Sequence, residues 1–485
     1  MNKPLRRVAI FCGLLIFALL LRDNWIQFVE ADSLKNDTHN RRVQIEEYAK
    51  PRGDIIVDGK AVTGHTTTSG SDFKYKRTYT DGPMWAPVTG FASQAFGTTM
   101  LEGVEDKILT GDDDRLFFNR TIDMLTGKQQ QGGDVVTTLN AKAQAAAFNG
   151  LGNKKGAVAA INPQTGAILA LASTPSYDPA SIAGNSTQDS QNWTKLVNDP
   201  NQPMLNRALR QTYPPGSTFK IVTAAAALDN GLYSNIDTPT DSPLPYTLPG
   251  TSTVLNNEGD IPCKNATLMV ALQYSCNTVF GKIGADLGQS KMLAEAKKFG
   301  FDSTTDTPVR TVASNFDSKT MYPSQTALSS IGQFDTAATP LQMAMVAGAV
   351  ADDGKLMQPY MVDQLRAPNL SVVDQTSPKQ MSQAMTPETA QKLQQMMENV
   401  VNKGTGTMAQ IPGVTVGGKT GTAQHGVANS ALPYAWFISY AKTDQGSPVA
   451  VAVVVEDGNA NRDDISGGGL AAPIAKSVME AVLNK

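Results

Sequence analysis

Residues that commonly hold metal ions are scarce in this sequence. It has three histidines, His39, His65 and His425, and three cysteines, Cys12, Cys263 and Cys276, far apart and without paired ligand spacing. That argues against a structural zinc site, so neither a metal nor another cofactor is expected. An excess of charge of one sign is lacking too. Lys plus Arg number 41 against 44 for Asp plus Glu, which builds no broad basic field and makes nucleic acid a poor partner. No internal repeat or extended low-complexity tract is present.

What is present begins with size. At 485 residues the chain exceeds one ordinary domain, so two folded regions are expected. Its N-terminus is the most legible part: Lys3, Arg6 and Arg7 precede an uninterrupted apolar run, Val8 to Leu21, followed by Arg22, Asp23 and Trp25. Basic residues before the run place the N-terminus in the cytoplasm, while Leu5 extends the run and Trp25 suits the far interface. The favoured reading is an uncleaved signal anchor over residues 1–30. Its rival is a removed secretory signal, with Val29 and Ala31 as the small residues of a cleavage site. Under either reading the following residues lie outside the cytoplasm, where Cys263 and Cys276 can form a disulfide or remain two free thiols.

Residues 31–133 are polar and rich in turns, and are expected to form a small accessory domain. Asp54 to Val57 looks like a strand, Val104 to Leu109 like a short helix ending at Gly111, and Gln129 to Gly133 like the linker. Arg52, Gly53 and Asp54 resemble an adhesion tripeptide, but three residues recur by chance. Within residues 134–485, Gly156 to Asn162 and Ala167 to Ser173 read as a hairpin joined by Pro163 to Gly166. Tyr434 to Ala441 and Val449 to Glu456 form a second strand pair, followed by a helix over Ala471 to Leu483. Phe219 to Leu228, Leu268 to Leu287 and Pro340 to Val350 make a helical middle. The pattern predicts an α+β fold: an antiparallel sheet flanked by helices, with an inserted helical subdomain and a site between them.

Three motifs carry chemistry. Pro214, Pro215, Gly216, Ser217, Thr218, Phe219 and Lys220 run into the apolar stretch Ile221 to Leu228. The prolines forbid helix before Ser217, so Ser217 is expected to open one and to share a face with Lys220. A lysine made neutral by burial and a second cation can serve as base for that serine. Taken alone, the same residues fit a helix cap and a solvated lysine. Two other pairs share the spacing, but Ser71 and Lys74 sit in a turn-like stretch, and Ser439 and Lys442 lie in a strand where residues three apart face opposite ways. The second motif is Tyr274, Ser275, Cys276, Asn277. Ser275 can relay a proton, and the Asn277 amide can hold Lys220 and a substrate carbonyl. A polar helix terminus would look the same, and Ser190 with Asn192 repeats the pattern.

In the third motif Val414 and Val416 alternate into Gly417, Gly418, Lys419, Thr420, Gly421 and Thr422. Lys419 offers positive charge, Thr420 and Thr422 offer hydroxyls to a carboxylate, and backbone N–H groups can line an oxyanion hole with that of Ser217. A glycine-rich bend is the bland alternative. Gly413 to Thr420 also matches a phosphate-binding loop. Yet its strand-like residues fall inside the supposed loop and little helical signal follows.

In this order the three motifs resemble those of the serine penicillin-recognising enzymes. The wider resemblance is to class B penicillin-binding proteins. It rests on Asn206, Arg207 and Ala208, on Gly332 and Gln333 with Thr339 to Ala344, on Ala435, Trp436 and Phe437, and on Ala471, Ala472 and Pro473. Trp85 to Gly90 is similar to the short actinobacterial penicillin-binding protein A group. The resemblance implies a transpeptidase domain on an N-terminal pedestal, cross-linking stem peptides in the wall and acting in cell shape and division. It implies Ser217 as nucleophile, Lys220 as base and Ser275 as relay. Asn277, Lys419, Thr420, Gly421 and Thr422 would bind substrate, and β-lactams would acylate Ser217. Implied partners are peptidoglycan stem peptides, β-lactams, the cell membrane, a glycan-strand polymerase and other cell-wall synthesis proteins. Phe334 departs from the pattern, since a third glycine often follows Gly-Gln. A carboxypeptidase or β-lactamase-type hydrolase and a β-lactam sensor are the rival functions.

Overall fold

The computed structural model describes residues 3–35, 37, 40–69, 72–316, 319–426, 429–457 and 461–484. His39 and Ser71, named above, lie outside them.

Five strands form an antiparallel sheet in the spatial order Thr415–Ala423, Tyr434–Thr443, Gly446–Asp457, Lys155–Ile161, Ile168–Thr174. All but Thr415–Ala423 read as largely apolar runs because both faces are covered. Val158, Phe437 and Val451 join one core with the helices Ala141–Leu151 and Ala472–Leu483. Their neighbours Ala159, Ile438 and Ala452 join the other core with the helical subdomain, as the strand period of two requires. Each fully buried valine contributes about 2 kcal/mol. The helix Pro340–Ala351 is apolar all round and buried from Pro340 to Val350. Thr339 starts it by accepting from the Gln342 N–H.

A second sheet has the order Val372–Gln375, Val362–Arg366, Asp134–Thr137, Ile55–Val57, Lys60–Ala61. Ile55 pairs in parallel with Val135, so this sheet joins residues on both sides of residue 133. The stretch expected as a linker carries no regular structure but is tied down. The Gly132 N–H donates to the Pro51 carbonyl at 3.2 Å and the Gly133 N–H to that of Ile108 at 2.8 Å. Arg52 is buried against Glu102 rather than displayed, which disposes of the adhesion reading. At the N-terminus, Lys3–Phe28 is one helix of 26 residues, long and apolar enough to cross a membrane.

Three helices differ from expectation. The stretch Val104 to Leu109 is split between Met100–Val104 and Asp106–Thr110, because Glu105 leaves helical geometry at φ −99°, ψ 22°. Ser217 lies in a 3₁₀ turn, Gly216–Phe219, and the α-helix begins at Lys220. Leu268 to Leu287 is two helices, Leu268–Gln273 and Asn277–Lys298, the latter interrupted again at Gly288. The first break is at Ser275, whose φ of 63° no α-helix accommodates. Next to it Cys276 is bonded to Cys263, which settles the choice between disulfide and free thiols.

Candidate active site

The three motifs meet at one end of the central sheet. Gly421 is opposite Trp436 in the ladder, and a side chain on it would meet the Pro215 carbonyl and Thr218 Cγ2 at 3.0 Å. Glycine there lets the Ser217 turn lie directly on the strand. From the other side the Gly216 N–H donates to the Gly332 carbonyl at 2.9 Å, and a Cβ on Gly332 would stand 2.1 Å from the Gly216 oxygen. The Gly332–Gln333 pair itself therefore braces the Ser217 turn. Phe334 takes the left-handed φ of 58° that a glycine would adopt freely, and its side chain is 43% exposed. Behind the turn, the Trp436 indole donates to the Pro214 carbonyl at 3.0 Å.

Ser217 is half-buried, and its hydroxyl has no hydrogen-bond partner among the described residues. Lys220 is fully buried. Its Nζ donates to the Ser275 carbonyl at 2.7 Å and to Asn277 Oδ1 at 2.7 Å, and lies 3.2 Å from Ser275 Oγ. Lys419, also fully buried, reaches the same Ser275 Oγ from the other side at 2.9 Å and the Thr420 carbonyl at 2.7 Å. One hydroxyl thus bridges two lysines. Burial, and then the charge of Lys419, push the Lys220 amine well below its ordinary range. Burial brings Lys419 down to about 7, against a small upward pull from Glu258.

The turn that presents Ser275 is clamped. The Cys276 N–H donates to the Ala271 carbonyl at 2.8 Å, and the disulfide to Cys263 fixes the next residue. Asn277 opens the following helix and also donates from Nδ2 to the Asn256 carbonyl at 3.1 Å. Its second amide hydrogen remains for a ligand. Thr420 Oγ1 is 2.6 Å from Thr405 Oγ1, while Thr422 is half-buried on the same strand. Sequence reasoning missed Thr405, though its flanking Gly404 and Gly406 were a readable sign of tight backbone approach. It missed Glu258 as well.

The competing patterns stay apart. Ser439 Oγ faces Met479 Sδ at 3.6 Å while Lys442 reaches Gln394. Ser190 and Asn192 sit on the helix Thr187–Asn198, with Asn192 bonded to the Ser181 carbonyl at 2.8 Å. The phosphate-loop match lies in the strand Thr415–Ala423, with no cradle or following helix.

This chemistry agrees with sequence comparison. A family model described as the penicillin-binding protein transpeptidase domain matches residues 156–480. The chain belongs to the penicillin-binding protein transpeptidase family. A second model, the penicillin-binding protein A dimerisation domain, matches residues 52–135. The peptidoglycan D,D-transpeptidase PbpA of Mycolicibacterium smegmatis is 40% identical over 100% of both chains. Its namesake in Mycobacterium tuberculosis is 40% identical over 100% of this chain and 99% of its own. The ceftriaxone acyl-enzyme complex of penicillin-binding protein A from M. tuberculosis superposes with a TM-score of 0.85 at 39% identity, covering 90% of this chain and 100% of that one. This penicillin-binding protein thus shares both its fold and its length with relatives that are acylated by β-lactams.

Proposed function

We propose that this penicillin-binding protein is a peptidoglycan D,D-transpeptidase working through an acyl-enzyme on Ser217. The observation that carries the mechanism is the hydrogen-bond count at Lys220. Two of its partners, the Ser275 carbonyl and Asn277 Oδ1, can only accept. A neutral amine gives them its two hydrogens and keeps a lone pair, which suits the downward push on this group. That lone pair takes the Ser217 proton as Oγ attacks the penultimate D-Ala carbonyl. Backbone N–H groups of Ser217 and of the Lys419 strand stabilise the oxyanion. Lys220 is then an ammonium beside Lys419, and like-charge repulsion favours passing the proton through Ser275 to the leaving nitrogen. The amide C–N bond breaks and terminal D-Ala departs. In the second half an acceptor amine attacks the ester, the new C–N bond forms, and Oγ leaves and regains a proton. Lys419, Thr420 and Thr422 receive the donor carboxylate, Gly421 gives it room, and Asn277 holds the substrate backbone.

The same proposal takes residues 1–30 as a single-pass anchor, 31–133 as the pedestal and 134–485 as the catalytic domain outside the cytoplasm. The basic residues before the apolar helix and the disulfide beside the site support that orientation. New glycan strands would come from a polymerase in the same membrane. Intact-mass analysis with a labelled penicillin tests the central claim. A long-lived adduct is expected at Ser217 and absent in Ser217→Ala. Rapid turnover of the drug would identify a β-lactamase instead, and an inert protein would indicate a binding role.

A further inference from the structure

A lone carboxylate stands over a site whose buried charges are two lysines. Glu258 is exposed and lies between the short strand Val254–Leu255 and Cys263. Among the described residues it forms no hydrogen bond and no salt bridge. Its charge nevertheless acts on both Lys220 and Lys419.

The segment carrying it is stitched to the Ser275 turn on both sides. Before Glu258, the Asn256 carbonyl accepts from Asn277 Nδ2 at 3.1 Å. Asn257 Oδ1 accepts the Thr278 N–H at 3.0 Å, and its Nδ2 donates to Thr278 Oγ1 at 3.2 Å. After it, Cys263 is bonded to Cys276, the residue between Ser275 and Asn277. A strap fixed at both ends holds the carboxylate near the reacting groups.

For acylation this acid is a handicap. It favours the charged form of Lys220, which must be neutral, and it repels the donor's carboxylate. The second half-reaction has the opposite need. Its acceptor is an amine, cationic at neutral pH, and a charged Lys419 repels it. Resting on the transpeptidase reading above, we infer that Glu258 draws in and orients the cationic acceptor amine of the second stem peptide. Its part is binding. The proton that the ammonium sheds before attack goes to solvent, to which Glu258 is open.

The test uses the full chain, a thioester donor and two acceptors: a diamino acid with a free, charged side-chain amine, and hydroxylamine, which is neutral at pH 7. Glu258→Gln is expected to raise the KM for the diamino acid about tenfold, or about 1.4 kcal/mol. Transfer to hydroxylamine and acylation by penicillin should not slow, and Glu258→Asp should recover part of the loss. An equal fall for both acceptors, or no change for either, overturns the assignment. So does slower hydrolysis of the acyl-enzyme without loss of transfer, which would make Glu258 a base for water. Transfer to neither acceptor by an unmutated chain that still acylates overturns the transpeptidase reading itself.

Discussion

The joint around Glu102 and the active site both bury positive charge, and they treat it in opposite ways. In the N-terminal region Glu102 is fully buried between Arg52 and Arg77, each guanidinium Nε 2.6 Å from one of its carboxylate oxygens. Asp106 adds a second partner for Arg52 at 2.8 Å. Burial alone would raise the Glu102 carboxyl, but the two cations outweigh it and hold the group below its usual range. At the active site no carboxylate among the described residues touches Lys220 or Lys419, and burial lowers the basicity of both. Matched charge makes a rigid joint; unmatched like charge makes weakly basic amines. The price of the second arrangement is stability.

The sharpest way to break this contrast is Lys220→Met. Acylation by penicillin should fall by about 10³-fold or more, while the melting temperature holds or rises because an uncompensated buried amine is gone. Near-normal acylation would remove Lys220 from the mechanism. Glu102→Ala should do the reverse. It strands two buried guanidiniums at a cost of about 3–5 kcal/mol, read as a lower urea midpoint, with the acylation rate of the folded fraction unchanged. A loss below about 1 kcal/mol would mean that water already compensates the arginines.

The pH dependence sharpens the contrast further. The folded-state basicity of Lys419, about 7, lies below its unfolded value. Below that pH both states hold the proton and the penalty is constant. Between about pH 7 and 10 the unfolded chain binds more protons, so stability should rise with pH. Urea midpoints at pH 6, 8 and 9.5 should show this rise, and Lys419→Met should make it shallower, leaving the part due to Lys220. The smallest effect concerns strain without charge. Phe334→Gly relieves the left-handed backbone at φ 58° and should stabilise by about 1 kcal/mol or less, since glycine also gains entropy in the unfolded chain. A loss of stability would mean that the half-exposed ring packs usefully against its neighbours.

The central sheet was legible because four of its strands are largely apolar, and the three motifs because each is a short local pattern; the fold then brings Lys220, Ser275 and Lys419 together. What lay hidden depends on distant partners. The break at Ser275 follows from a backbone angle and a disulfide that residues 268–287 do not announce. The second sheet pairs Val136 with Gln364, a juxtaposition no local pattern encodes. Glu258 looked like one more exposed acid, and only the strap beneath it gives it a place.

The strand bearing Lys419 is the outermost of its sheet, so one row of its main-chain groups has no neighbouring strand. A guest peptide laid alongside would extend the pleat by one ribbon, gripped through its own amides. Such a grip makes little use of side chains along its length, so discrimination falls largely to the guest's carboxylate end. An inhibitor needs only to imitate a short piece of backbone, and that is what makes so small a molecule an adequate counterfeit.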